Sequence, residues 1–180
     1  TQVTLIPELK LGIIVLTNQQ SGAAFSAITN TIKDAYLGVK GPDRVKQQRD
    51  RVTANEADAK KITDSIWKVI DLQQKAAGKP DIANYSGTYT DNWFGDITVA
   101  MKNGKLRFDS RRSPRLTGEM LYYKGNTFIV KWDDRSMDAD AYMQFELDHE
   151  GKAVGIKMNP ISPLTDFSFD FQDLDLKRKP

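Results

Sequence analysis

Apolar residues in the first 38 positions follow two periods, and each period predicts a different element. Residues 3–6 and 11–17 are rich in β-branched side chains, which is typical of strands, and Pro7 marks the turn between them. From residue 24 to residue 36 the apolar positions recur at spacings of three and four, which predicts a helix with Gly38 as its C-terminal cap. Because residues 11–16 are almost continuously apolar, as in a strand buried on both faces, this segment needs a second covering layer.

The next segment is helical and highly charged. Residues 44–77 contain neither glycine nor proline, and their apolar side chains form only a narrow stripe among alternating charges. This pattern predicts a solvated connector made of one long helix, or of two helices broken near residues 53–55. Gly78 and Pro80 end the helical pattern.

Residues 82–178 alternate apolar and polar positions in short runs that are separated by turn residues. Asn103-Gly104 lies between two such runs and is a strong signal for a tight hairpin. About eight strands at this spacing indicate a small closed up-and-down barrel, or a sandwich. The predicted fold class is therefore α+β: a strand hairpin plus helix, a charged helical connector, and an antiparallel barrel. The clearest predicted strands are residues 97–102, 105–108, 127–132, 141–147, 153–158 and 165–171.

Composition narrows the function classes only slightly. The net charge of +2 is small, and nucleic-acid binding would need basic residues concentrated on one face, so we expect no nucleic-acid partner. The absence of cysteine excludes disulfides, a thiolate nucleophile and cysteine metal ligands. The longest apolar stretch is too short to span a bilayer. Since Thr1 is not an initiator methionine and a strand follows at once, we expect the chain to be the C-terminal part of a longer protein.

Two parts of the sequence resemble serine hydrolases of the class C β-lactamase and penicillin-binding-protein group. The segment Leu5-Ile-Pro-Glu-Leu-Lys-Leu-Gly-Ile-Ile-Val-Leu-Thr-Asn-Gln19, followed by a small-residue helix, resembles the last strands and C-terminal helix of their catalytic domain. The β-rich region resembles an uncharacterised domain that often follows that catalytic domain. The similar pieces are Tyr85-Ser-Gly-Thr-Tyr89, Trp93-Phe-Gly-Asp96, Asn103-Gly-Lys-Leu106, Thr127-Phe-Ile-Val-Lys-Trp132, Asp140-Ala-Tyr142 and Asp166-Phe-Ser-Phe-Asp-Phe-Gln-Asp173.

The resemblance implies three parts and a function for the whole. Residues 1–38 would be a remnant of the catalytic domain, residues 39–80 a charged helical connector, and residues 81–180 a lipocalin-like accessory barrel. The parent would be a bacterial enzyme, periplasmic or extracellular, that hydrolyses an amide or ester through an acyl-serine intermediate. The accessory barrel would stabilise the catalytic domain, or contribute to substrate or cell-envelope binding. The alternative is an independent lipocalin-like barrel that binds a small ligand.

The residues that carry the resemblance do not include an active site. Ser65-Ile-Trp-Lys68 matches the S-x-x-K motif of those enzymes, but no Y-x-N, S-x-N, K-T-G or H-T-G motif follows it. We interpret this match as a coincidence within the connector. We therefore expect no catalytic residue and no cofactor in this chain, and a nucleophile upstream of it.

Candidate binding residues are aromatic and basic side chains that a barrel mouth would bring together, although core packing is the commoner role of such aromatics. They are Trp93, Trp132, Tyr142 and Arg112. His149 lies in a predicted turn, and the carboxylates at 166, 170, 173 and 175 lack the looped calcium pattern, so we expect no metal site. The expected partners of residues 1–38 are the upstream catalytic domain or a second copy of the chain.

Overall fold

The structure is a computed structural model that describes residues 1–19, 21–78 and 80–180. Two compact units are found, Thr1–Asp58 and Ala59–Pro180. The division falls inside a helix. The elements are β1 (Gln2–Ile6), β2 (Leu11–Val15), α1 (Ala23–Tyr36), α2 (Arg44–Lys75), β3 (Gly87–Asp91), β4 (Gly95–Lys102), β5 (Lys105–Ser110), β6 (Thr117–Lys124), β7 (Thr127–Trp132), β8 (Ala141–Leu147), β9 (Ala153–Pro160) and β10 (Leu176–Arg178).

In the first unit, β1 and β2 form an antiparallel hairpin with Val3 opposite Ile14. The predicted turn between them is a single 3-10 turn, Pro7–Leu9. One face of the hairpin packs on α1 and buries Ile13. On the other face Ile14 is 67 % exposed, and its neighbours Val3, Leu5 and Leu16 are also exposed. The described chain therefore covers only one of the two apolar faces of this sheet.

A glycine cap and an ion pair fix the connection between α1 and α2. Gly38 adopts a φ of 65° just beyond α1, a left-handed conformation that suits glycine, as predicted for the end of this helix. The Arg44 guanidinium then donates to both carboxylate oxygens of Asp34, at 2.7 Å and 3.2 Å. From Arg44 onward α2 runs through residues 53–55 without a break, so the connector is one helix of 32 residues.

The second unit contains a closed barrel of eight antiparallel strands, which confirms the predicted α+β fold and selects the barrel over the sandwich. Each of β3 to β9 pairs with the next strand along the chain, and β10 pairs with both β9 and β3. The Asn103-Gly104 hairpin forms as predicted, with φ values of 52° and 74° that match a tight two-residue turn. Closure leaves no strand of the barrel with an open edge.

The strand predicted at residues 165–171 is wrong. This segment forms two short 3-10 turns, Phe167–Phe169 and Phe171–Asp173. Its aspartates cause the difference, because the Asp166 carboxylate accepts a hydrogen bond from the Ser168 N–H at 2.9 Å and Asp170 adopts a φ of 50°. Such local side-chain bonds compete with strand pairing. The closing strand follows the turns, at Leu176–Arg178.

The C-terminal half of α2 packs against the outside of the barrel. Ile66 and Ile70 are buried with Ile129 of β7 and with Ile161, which follows β9. The compact unit that holds the barrel therefore begins at Ala59, inside the segment that the sequence predicts as a connector. Neither described helix combines the length and the apolar character that a membrane-spanning segment requires.

We expect Ile70→Ala to lower the free energy of unfolding by about 2–5 kcal/mol, because it opens a cavity between α2 and the barrel. Ile62→Ala is the matched control on the same helix. Ile62 is 48 % exposed, so its truncation should cost well under about 1 kcal/mol. Urea denaturation of both variants measures the difference. Equal effects would show that the helix does not belong to the barrel unit.

Candidate functional site

The interior of the barrel is filled by its own side chains. The rings of Tyr85, Phe128 and Phe145 meet edge to face, with centroids 5.0–5.6 Å apart. Trp132 packs against Phe108 in the same way, with centroids at 5.3 Å. Edge-to-face contacts at these distances leave no room between the rings for a ligand. Any binding site of the barrel must therefore lie on its surface.

Two of the four predicted ligand-binding residues serve packing instead of lining an open surface. Trp132 is buried in the core, where its indole N–H donates to the Ala139 carbonyl at 2.6 Å. Tyr142 lies on the outer face of β8, with its ring 5.6 Å from that of Tyr123 in the cluster beneath α2. Burial raises the pKa of Tyr142, and the neighbouring Tyr123 raises it further.

The structure brings the other two predicted residues together. Trp93 lies in the turn between β3 and β4 and is 60 % exposed. Arg112 follows β5, and its guanidinium donates to the Trp93 carbonyl at 2.7 Å. Gly95 makes this contact possible, since a Cβ at that position would lie 2.9 Å from the Arg112 side chain.

A polar depression of about 500 Å³ lies beside this pair. Asp91 forms part of its wall, and its carboxylate accepts N–H donors from Trp93, Phe94 and Asp175 at 2.8, 2.8 and 3.0 Å. Burial by itself raises the pKa of Asp91, but these three donors together hold it below its ordinary value. The carboxylate thus serves to fix the turn. The depression is lined by Thr90, Asp91, Asn92, Gly95, Asp96, Arg111 and Arg112.

Asp96 and Arg111 also line this depression. Asp96 accepts a hydrogen bond from Lys179 at 2.9 Å, and this contact, followed by one from Thr90, lowers the pKa of Asp96. The guanidinium of Arg111 lies 4.0 Å from Asp96, and its side chain is 83 % exposed. The sequence shows the basic residues near 111–115 but contains no signal that they meet the turn after β3.

The four loops at this end of the barrel are joined in a ring by polar contacts. The loops comprise residues 92–94, 111–116, 133–140 and 161–175. Each is tied to its neighbour, so the end is held in one arrangement before any ligand binds. The ties are Arg112 to the Trp93 carbonyl, Arg115 to Asp134 at 2.8 Å, Thr165 to the Asp138 carbonyl at 3.0 Å, and the Asp175 N–H to Asp91 at the base of the first loop.

At the opposite end a single arginine closes the barrel. Arg178 of β10 donates to the carbonyls of Asn84 and Ala153, both at 3.0 Å, and to that of Ser86. Its guanidinium lies 5.9 Å from the centre of the Tyr89 ring. The Tyr89 hydroxyl donates to the Tyr85 carbonyl at 2.6 Å. Burial raises the pKa of Tyr89 to about 12, although Arg178 opposes the shift.

The remaining candidates for chemistry lack catalytic geometry. The Ser65 hydroxyl donates to the Ile62 carbonyl of its own helix at 2.7 Å. Within the described residues, no hydrogen bond joins Ser65 to Lys68. His149 lies exposed in the turn after β8. No group of three or more metal-ligating side chains is found in the part of the chain that the structure describes.

The buried Tyr89 phenol predicts a stability loss in strong alkali. Its folded-state pKa of about 12 exceeds the ordinary value of 10.0, so its contribution is complete below pH 10 and is lost as the pH rises to about 12. Tyr89→Phe removes the titration and one hydrogen bond, which costs about 1 kcal/mol at neutral pH. We expect the advantage of the wild type to fall between pH 10 and pH 12, by up to about 1.4 kcal/mol per pH unit. Denaturant unfolding across this range tests the expectation, and parallel curves for the two proteins would contradict it.

Comparison with known proteins identifies the barrel region. A family model described as Domain of unknown function (DUF3471) matches residues 74–178. No curated protein and no solved structure gives a match. The matched residues include every strand of the barrel and more than half of the 180 residues. The chain therefore belongs to the DUF3471 family.

Proposed function

We propose that this chain is the non-catalytic C-terminal part of a serine hydrolase related to β-lactamases. Residues 1–38 complete the catalytic domain, residues 39–80 connect it to the barrel, and residues 81–180 are the accessory domain. The barrel stabilises the catalytic domain, or contributes to the binding of its substrate or of the cell envelope. The parent hydrolyses an amide or ester through an acyl-serine intermediate, in the periplasm of a bacterium or outside its cell.

The hairpin of β1 and β2 is the observation that carries this proposal. A two-stranded sheet is at best marginally stable in water unless further strands or helices cover it. α1 covers one face, whereas Val3, Leu5, Ile14 and Leu16 expose apolar side chains on the other. Such a face is typical of a sheet that has been separated from the layer it packs against. Residues 5–19 resemble the last strands of a catalytic domain, and in this proposal the rest of that domain forms the missing layer.

Unsatisfied polar groups support the same conclusion. In the part of the chain that the structure describes, three buried side-chain oxygens lack a hydrogen-bond partner: those of Gln2, Thr17 and Thr29. All three belong to the first unit. Each such group costs about 1–3 kcal/mol while it stays unpaired, so the first unit by itself satisfies its described polar groups less well than the barrel unit does.

The filled barrel favours an accessory role over the alternative of an independent ligand-binding barrel. A lipocalin-like carrier needs an open interior. Here Tyr89, Phe108, Phe128 and Phe145 are fully buried against each other and their neighbours. The interior therefore serves the stability of the domain.

The length and the penicillin labelling of the native gene product test this proposal. We expect a polypeptide much longer than 180 residues that carries an S-x-x-K serine upstream of Thr1. Fluorescent penicillin should label that upstream serine, because it forms an acyl-enzyme with this class of nucleophile. Intact mass and peptide mapping locate the label, and Ser65→Ala should leave the labelling unchanged. A product that begins at Thr1, or a label on Ser65, would refute the proposal.

The exposed hairpin face also predicts the behaviour of the isolated chain. Without its covering layer, the 180-residue chain should self-associate through residues 1–38. The double variant Leu5→Glu/Ile14→Glu should be monomeric, because it places two charges on the apolar face. Ile62→Glu is the matched control, a partly exposed isoleucine on α2, and should leave association unchanged. Sedimentation velocity measures all three, and a wild-type monomer at the same concentration would contradict the expectation.

A further inference from the structure

The depression beside Trp93 has an excess of hydrogen-bond donors. The carboxylates of Asp91 and Asp96 are already engaged by three backbone N–H groups and by Lys179. Among the described residues, the Asn92 carboxamide and the Arg111 guanidinium make no hydrogen bond, and the nearest carboxylate to Arg111 is that of Asp96 at 4.0 Å. Arg112 uses one donor on the Trp93 carbonyl and keeps others. The groups with unused capacity are thus two guanidinium forks and an amide, which suit a carboxylate.

The lining of the depression excludes an apolar ligand. None of its side chains is aliphatic or aromatic, and its volume of about 500 Å³ lies within the range of small-molecule sites. An apolar molecule would gain little by entering it. A ligand rich in hydroxyl groups would find donors and acceptors on several sides.

Trp93 supplies the apolar contact that such a ligand still needs. It lies in the turn between the lining residues Asn92 and Gly95, beside the lining rather than within it, and it is 60 % exposed. The C–H face of a pyranose ring packs well on an exposed indole, since the ring offers a broad apolar face with a polar edge. The polar ring of loops holds Trp93 and Arg112 in place, which lowers the entropy cost of binding.

We propose that this depression binds an acidic saccharide, with a sugar ring on Trp93 and a sugar carboxylate on Arg111 and Arg112. Asn92 hydrogen-bonds the ring hydroxyl groups beside it. The site lies wholly within the barrel unit and does not depend on an upstream catalytic domain, so the two proposals can fail separately.

Isothermal titration of the 180-residue chain tests this assignment with defined probes. Trigalacturonate and trimannuronate are the acidic saccharides, and at least one of them should bind and quench tryptophan fluorescence. The fully methyl-esterified trimer keeps the rings but loses the charge, and should bind at least about tenfold more weakly. Triglutamate and inorganic sulfate keep the charge but lack sugar rings, and should also bind at least about tenfold more weakly.

Matched variants assign the binding to these side chains. Arg111→Gln should weaken binding about tenfold without affecting folding, because the Arg111 side chain is exposed and makes no hydrogen bond within the described structure. Arg115→Gln is its control, since Arg115 lies in the same loop but binds Asp134 and does not line the depression. Trp93→Ala should weaken binding by a similar factor. Phe167→Ala is the control for an exposed aromatic ring, at 83 % exposure, in another loop of the same end.

Four outcomes would overturn the proposal. The first is no binding of either acidic trimer. The second is equal binding of the methyl ester, which would remove the role of the arginines. The third is equal binding of triglutamate or sulfate, which would indicate an anion or peptide site in which Trp93 has no part. The fourth is an equal loss of binding in the test and control variants.

Discussion

Closure of the barrel by β10 is the constraint on which the rest of the structure depends. This strand has only three residues, yet it pairs with both β9 and β3 and so removes the last open edges. Arg178 strengthens the closure, because one guanidinium satisfies carbonyls from the segment before β3 and from β9. Once the sheet is closed, every inward side chain faces another, and the core fills without help from a ligand or a second layer.

The two units differ in how completely they cover their apolar surfaces and pair their buried polar groups. In the barrel unit the sheet has no open edge, and among the described residues none of its buried side-chain oxygens lacks a partner. The described part of the first unit has an exposed apolar face and three buried side-chain oxygens without a partner. The contrast follows from topology, since a hairpin and a helix form only two layers, which leaves the second face of the hairpin exposed. The proposed catalytic domain would supply the missing layer on the face of Val3 and Ile14.

The sequence predicts most of the fold because its patterns are local. The alternation in β4, β5 and β7 to β9, the Asn103-Gly104 turn and Gly38 at the end of α1 are all recognisable within a few residues of chain. The prediction of a strand fails at residues 165–171, because alternating Asp and Phe residues are compatible both with a strand and with two turns. Only the capping bond of Asp166 and the left-handed Asp170 separate these possibilities. The docking of Ile66 and Ile70 on the barrel is equally hidden, because a narrow apolar stripe does not reveal what it contacts.

Of the candidate site, the sequence shows Trp93, and it shows Arg111 and Arg112 as part of a basic run. The roles of Asn92 and Asp96 become apparent only in the barrel. The strand order brings the loop after β5 beside the turn before β4, across about twenty residues of chain. The same geometry explains why Trp132 and Tyr142 do not join them: successive side chains of a strand alternate between faces, so Trp132 points into the core and Tyr142 lies outside, under α2. A filled barrel therefore leaves its loops as the surface where recognition can take place, and the end held together by the four polar ties is the one that carries an exposed tryptophan.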